Sequence, residues 1–378
     1  MGRRILAGLI SILLALTLCG CWNYRGLDQM NIVVGIAIDF DKQSNLYKLS
    51  YEVADLMNAE KEGGVSGKIV KSEGKTLFEA ARNAKRREAD RLFFGSAHIL
   101  IISQEVAREI GLLSIIEWFL RDGECRETMC VALSREDTAM TILESPDGMS
   151  GVMSSNIHDI ITEDHKVSAS SMNIQLYQVY NILRSERNSV MLPALHKIKD
   201  GDQEICEING IAVFKEDGLT GFLTAEESKY ALFVEDKLQG GILTLSMGGM
   251  RTDDISLEIF TNKTKKSFTY EKGKVKVMIQ TDTDVAIAEN ASQMDVTDQA
   301  IVKKIQDAAQ RMIQENIKDL VAKIQREHNA DVFGFGEMIY KQDLELWRAL
   351  APFWAQLFPT LEVEVASTVK VVNSAFIR

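Results

Sequence analysis

Several signatures that would narrow the chemistry of this 378-residue chain are missing from it. Beyond residue 20 no stretch approaches 18 uncharged apolar residues, so no membrane-spanning helix is expected there. There is no G-x-S-x-G, no H-E-x-x-H, no P-loop and no G-x-G-x-x-G, which argues against the commoner hydrolases, metalloproteases and nucleotide-binding enzymes. Cysteine is scarce, with five residues, two of them crowded into "LTLCGCW" at 16–22. Basic residues are outnumbered, 43 Lys and Arg against 54 Asp and Glu, and the net charge of −11 makes nucleic acid a poor partner. What is present is an ordinary globular composition, 46% hydrophobic and 26% charged, sufficient for two or three domains with cores of their own.

The first 20 residues read as a secretory signal, with Arg3 and Arg4 ahead of an apolar run from Ile5 to Leu18. As a helix that run reaches only about 21 Å, short of a hydrocarbon core of roughly 30 Å. It ends in Leu18-Cys19-Gly20-Cys21, which resembles a lipobox with Cys21 as the lipid acceptor. Cys19 then leaves with the signal. The thiol at the first mature position would take the diacylglyceryl group as a thioether, and two acyl chains at about 0.8 kcal/mol per buried CH₂ give stable anchoring. Loss of Arg3 and Arg4 takes the net charge from −11 to −13. Cys125, Cys130 and Cys206 are too few and wrongly spaced for a zinc cage. They allow one disulfide on the oxidising side of a membrane, or buried free thiols.

Along the chain, "NIVVGIAIDF" (31–40) reads as a strand buried on both faces, and Tyr47, Leu49, Tyr51 and Val53 mark a second, half-exposed one. Thr76 with Glu79 predicts a capped helix that turns basic at Lys85, Arg86 and Arg87. "FFGSAHILIIS", "VAREIGLLSIIEWFLR" and "ETMCVALS" then predict strand, helix and strand, and Asp137 to Glu144 a further helix. Residues 146–171 read as a loose connection, followed by a helix from about Asn173 to Arg184. Two long alternating strands are expected from Val275 to Ile287 and from Leu361 to Val371, and residues 297–328 between them have the spacing of a long amphipathic helix. The fold class is therefore mixed α+β and multi-domain. An α/β domain over 21–200 follows the signal at 1–20, then a second half with an antiparallel sheet covered by the long helix.

No constellation for catalysis, cofactor or metal stands out. Asp39 and Asp41 read as polar punctuation where a buried strand meets water, rather than as a cation site. His158 and His165 lie two helical turns apart with no third ligand. Lys85 to Arg87 reads as a solvated helix end, with anionic lipid or an acidic partner loop as the alternative. "DVFGFGE" (331–337) predicts a turn after the long helix, with Phe333 and Phe335 folded onto the core.

The order of these stretches resembles a known family. "CWNYRGLDQMNIVVGIAIDFDK", "RLFFGSAHILIIS", "WFLRDGECRETMCVALSRE", "GIAVFKEDGLTGFLTAEES" and "DVFGFGEMIYKQDLELWRALAPFWAQLFPTLEVEVASTVKV" are similar to the Ger(x)C lipoproteins, the C subunits of spore nutrient germinant receptors. The resemblance runs from residue 21 to about 372. It departs at Asn23, where the family often has an acid, and at Val332, where it often has Pro. The resemblance implies a non-enzymatic lipoprotein on the outer face of the spore inner membrane, without a cofactor. It also implies work with an integral-membrane A subunit and a permease-like B subunit, and a three-domain assembly that divides the second half into a small β-rich unit over 201–250 and the sheet-plus-helix domain over 251–378. It carries over one functional residue, Cys21. A solute-binding lipoprotein that captures the nutrient itself is the alternative, and such proteins usually show two similar α/β lobes.

Overall fold

The computed structural model describes residues 2–6, 8, 30–56, 65–86, 88, 90–145, 151–201, 203–248, 254–292 and 294–373. Cys19, Cys21, Asn23 and Arg87 lie outside the described residues.

A nine-stranded mixed sheet forms the first half. Its strands are β1 (Met30–Asp41), β2 (Leu46–Asp55), β3 (Ser66–Gly74), β4 (Arg91–Phe93), β5 (Ile99–Ile102), β6 (Cys130–Ser134), β7 (Met191–Asp200), β8 (Gln203–Lys215) and β9 (Gly218–Leu223). The order is β3-β2-β1-β5-β6-β7-β8-β9, with β4 also on β1. The central strands β1, β5, β6 and β7 are parallel, and antiparallel hairpins extend both sides. Parallel neighbours need crossovers, and helices supply them. One face is covered by α1 (Leu77–Asn83), α2 (Gln104–Glu109), α3 (Leu112–Arg121) and α6 (Leu176–Leu183). The other is covered by α4 (Met140–Leu143) and α5 (Met153–Val167), packed on Ala37, Ile99, Ile101 and Ala132. The expected boundary near residue 200 falls in the tight turn between β7 and β8, which pair within this one sheet.

Several local readings are corrected. The single helix expected over "VAREIGLLSIIEWFLR" is two, α2 and α3, broken at Gly111, whose φ of +85° a side chain rarely adopts. The loose connection at 146–171 contains the 15-residue helix α5. Strand β2 is buried across both faces from Leu49 to Val53, Ser50 and Glu52 included, rather than half-exposed.

The second sheet runs β10 (Ile242–Leu245), β11 (Ile255–Glu271), β12 (Lys274–Asn290), β13 (Glu362–Asn373). Helix α7 (Ala225–Val234) leads into it from β9, opened by a reciprocal capping box of Thr224 and Glu227. β11 and β12 form a hairpin whose two turn residues, Lys272 and Gly273, both have positive φ, the geometry of a tight two-residue turn. β12 and β13 are parallel, so the sheet is mixed and the expectation of an antiparallel sheet is corrected. The physical reason is the long helix itself: α8 (Gln299–Lys323) runs back across the sheet between them, and a strand reached by such a crossover returns in the same direction. Ile305, Ala309, Ile313, Ile317 and Leu320 of α8 lie buried on the inner face against Val277, Ile279, Val365 and Val369. The helix continues through one π-turn, Ile324–His328, and stops at Asn329 in the left-handed conformation. Helices α9 (Phe335–Gln342), α10 (Leu344–Leu350) and α11 (Trp354–Leu357) then lead to β13. A single apolar cluster runs from the α3 face of the large sheet through α7 into the second sheet.

Candidate functional site at the seam between the sheets

The seam is organised by buried carboxylates, and each is there to receive backbone N–H groups or a cation. Asp331, in the turn after α8, accepts from the amides of Phe335 at 2.9 Å and Gly336 at 2.7 Å, and from Trp354 Nε1 at 3.1 Å. It thereby starts α9 and pins α11. Burial pushes its carboxyl above the usual range, against the pull of those amides. Phe333 and Phe335 are fully buried and Gly334 has a φ of +68°, so the turn expected from "DVFGFGE" is present with both rings on the core.

Above this turn Arg187, from the segment after α6, makes an ion pair with Glu235 at 2.9 Å and donates to the Val332 carbonyl. Lys266 of β11 approaches Glu235 at 3.3 Å and donates to the Phe333 carbonyl at 2.7 Å. Only 12% of the Arg187 side chain and 5% of the Glu235 side chain is exposed. Burial alone would raise the Glu235 carboxyl, but Arg187, Lys266 and Lys237 outweigh it and hold the group down at about 2. One carboxylate thus ties together the first sheet's helical layer, α7, the second sheet and the 331–336 turn. Trp347 Nε1 donates to Glu186 at 3.1 Å beside it, and a cavity of about 210 Å³ lies between Glu186, Lys215, Asn329, Asp331, Trp347 and Trp354.

The same device recurs inside the large sheet. Asp39, expected as surface punctuation, is buried and accepts from the amides of Ala139 at 2.6 Å and Met140 at 3.1 Å, opening α4. Burial raises its carboxyl. Asp41 points elsewhere: it takes Lys48 at 2.7 Å and the Gln43 amide, and is held at about 2. The two acids therefore do not converge, and among the described residues no cluster of three metal-ligating side chains forms. Glu52 of β2 accepts from the amides of Met153 and Ser154, the first turn of α5, which has no side-chain cap of its own. Asp164 closes the far end of α5 through the Ser171 amide and Ser170.

The remaining candidates are dispersed. His158 lies beside His98 with ring centroids 5.2 Å apart and the rings tilted at 45°, while His165 sits two turns on, at the seam. Lys85 lies on the rim of a cavity of about 450 Å³ near β4, with Arg82 over the Phe78 ring. Cys125, Cys130 and Cys206 are free thiols, and burial pushes them up to about 12, 11 and 12. Sequence reasoning missed Arg187, Glu235 and Lys266, since their partners lie 48 and 31 residues away with no local pattern. No helix among the described residues is long and apolar enough to cross a membrane.

Residues 23–197 match the family described as spore germination protein N-terminal domain, and residues 209–375 the family described as spore germination B3/GerAC like, C-terminal. The chain belongs to the Ger(x)C family. This family comprises C subunits of spore germinant receptors, which act in germination. Among its relatives in Bacillus subtilis (strain 168), spore germination protein KC is 23% identical over 97% of this chain and 94% of its own. Spore germination protein B3 is 21% identical over 96% of each, and spore germination protein A3 is 24% identical over 93% of this chain and 92% of its own. The crystal structure of the GerBC protein superposes with a TM-score of 0.60 at 17% identity, covering 90% of this chain and 97% of that one, so the Ger(x)C chain shares its fold.

Proposed function

We propose that the protein is a membrane-anchored lipoprotein subunit of a spore germinant receptor. In this reading it is needed for nutrient-triggered germination and acts through protein–protein contacts rather than catalysis. The observation that carries this reading is the match to both halves of the family over residues 23–197 and 209–375. The lipid on Cys21 would hold the body at the outer face of the spore inner membrane, beside an integral-membrane A subunit and a permease-like B subunit. Residues 21–200 and 251–378 would act as two bodies joined by 201–250, whose strands β8 and β9 are zipped into the large sheet while α7 packs against α8. The alternative, direct nutrient capture between two similar lobes, finds no support in the architecture, since a nine-stranded sheet faces a four-stranded one.

The test is deletion of the gene, followed by restoration with the natural chain or with Cys21→Ala. Loss of a nutrient response in the deletion, restored by the natural chain and less well by Cys21→Ala, supports the reading. Spores lacking the gene that answer every nutrient normally, with no receptor of overlapping specificity present, contradict it.

A further inference from the structure

A second cavity at the seam, of about 410 Å³, shares no lining residue with the one beside the tryptophans. Its walls come from both halves: His165 at the end of α5, Asn173, Gln175 and Gln178 around the start of α6, and Lys237 and Gln239 on the link from α7 to β10. Its volume falls within the range of small-molecule sites. Its lining does not resemble an apolar pocket, because Leu232 is the one aliphatic side chain among the described residues that line it.

Two polar side chains in the wall are incompletely satisfied. Among the described residues the Lys237 side chain makes no hydrogen bond and no close ion pair, Glu235 attracting it only from further off, and burial pushes its ammonium below the ordinary value. His165 Nδ1 is buried and makes no hydrogen bond. A ligand that reached both the uncommitted Lys237 ammonium and the His165 ring would supply partners that the fold does not. Arg187, Lys237 and Lys266 face Glu235 within one cluster, Asp331 reaches Arg187 from the far side, and with Asp236 on the rim the charges balance, Lys237 being the one Lys or Arg among the described residues of the wall. Asp236 stands exposed on the rim with one oxygen committed to the Thr264 amide at 2.6 Å, and its charge repels a second negative charge on any occupant.

We propose that this cavity binds a small, hydroxyl-rich monocarboxylate, with the carboxylate on Lys237 and the hydroxyls on His165 and the carboxamides of Asn173, Gln175 and Gln239. Gln178 orients rather than binds, since its Oε1 already accepts from the Gln175 amide at 2.9 Å, and Gln175 and Asn173 offer their NH₂ groups, their oxygens being taken by the Gln178 amide and the Cys130 thiol. Because the walls belong to both halves of the chain, occupancy would tighten the seam. The proposal is independent of membrane anchoring and of the receptor reading.

Isothermal titration calorimetry on the full chain in detergent tests it, with D-gluconate as the hydroxyl-rich monocarboxylate, glucose as the neutral counterpart and citrate as the multiply charged one. Saturable binding of gluconate is expected, with glucose and citrate at least about tenfold weaker. Lys237→Gln is expected to weaken gluconate by roughly 10–100-fold, the effect of a charge-assisted hydrogen bond. Gln239→Leu, at an exposed position outside the Glu235 cluster, is expected to weaken it by roughly 2–10-fold while the melting temperature stays put. If Lys237→Gln does not fold, Gln239→Leu decides. No saturable heat with gluconate, equal binding of glucose, or natural affinity in a folded Lys237→Gln or Gln239→Leu chain would overturn the proposal.

Discussion

Replacing Arg187 by Met removes the main partner of a carboxylate that has almost no access to water. At 2.9 Å the gross attraction between Arg187 and Glu235 is about 6 kcal/mol at an effective dielectric of roughly 20. Lys266 at 3.3 Å remains and recovers part of it, while the Val332 carbonyl loses its donor. Breaking a buried pair from one side typically costs about 3–5 kcal/mol, and this range is the expectation here. Replacing both Arg187 and Glu235 by Met removes the stranded charge as well, so the double variant is expected to be less destabilised than the sum of the two single ones. Urea unfolding followed by tryptophan fluorescence is the assay, because Trp347 and Trp354 border this seam. A cost below about 1 kcal/mol for Arg187→Met, or strict additivity in the double variant, would refute the view that Glu235 holds the halves together.

Four further outcomes follow from the same geometry. Gly35, in the middle of β1, lies directly against Ser154, and a Cβ there would collide with the capped start of α5. Gly35→Ala should therefore cost about 1–3 kcal/mol in urea unfolding, and a neutral result would show that α5 is not seated there. Burial holds His98 and His328 below their ordinary value, with His158 and Lys323 adding to it. The unfolded chain therefore takes up protons first, and stability should fall as pH drops through about 6.5. A His98→Gln, His328→Gln chain should show a flatter profile between pH 7.5 and 5.5, and an unchanged slope would contradict this. Glu235 works in a lower window, its contribution present above 4.5 and lost as pH falls towards about 2. Cys125, Cys130 and Cys206 should react with a thiol reagent at pH 8 far more slowly in the native chain than in urea, and equal rates would contradict their burial.

Much of the fold could be read from local patterns, and the gaps share one cause. Strand β1, the long helix α8 and the aromatic turn after it announce themselves by periodicity or by glycine placement within a few residues. Helix α5 does not, because its opening cap is Glu52, 101 residues away from Met153. Asp39 looks like a strand-end acid for the same reason, since the amides it serves belong to Ala139 and Met140. The hairpin of β11 and β12 did carry a signal, "EKGK" between two alternating runs, although the alternation of β11 is interrupted by register shifts. The parallel pairing of β12 with β13 follows from the crossover helix, a consequence of connectivity rather than composition. At the seam, the ion pairs of Glu235 with Arg187 and Lys266 join residues that share no motif. The family likeness, by contrast, rests on stretches spread over the whole chain, so it was readable without any of these contacts.

We propose that the protein is a tethered subunit working against membrane partners, and one measurement addresses this directly. Spore membranes would be crosslinked, solubilised in detergent and passed over an affinity tag on this chain, with a Cys21→Ala chain in parallel. The account predicts that the natural chain fractionates with membranes and brings down two integral-membrane proteins, one of them permease-like, and that Cys21→Ala shifts the chain to the soluble fraction. Recovery of the natural chain alone from the soluble fraction would contradict it, and so would membrane fractionation unchanged by Cys21→Ala.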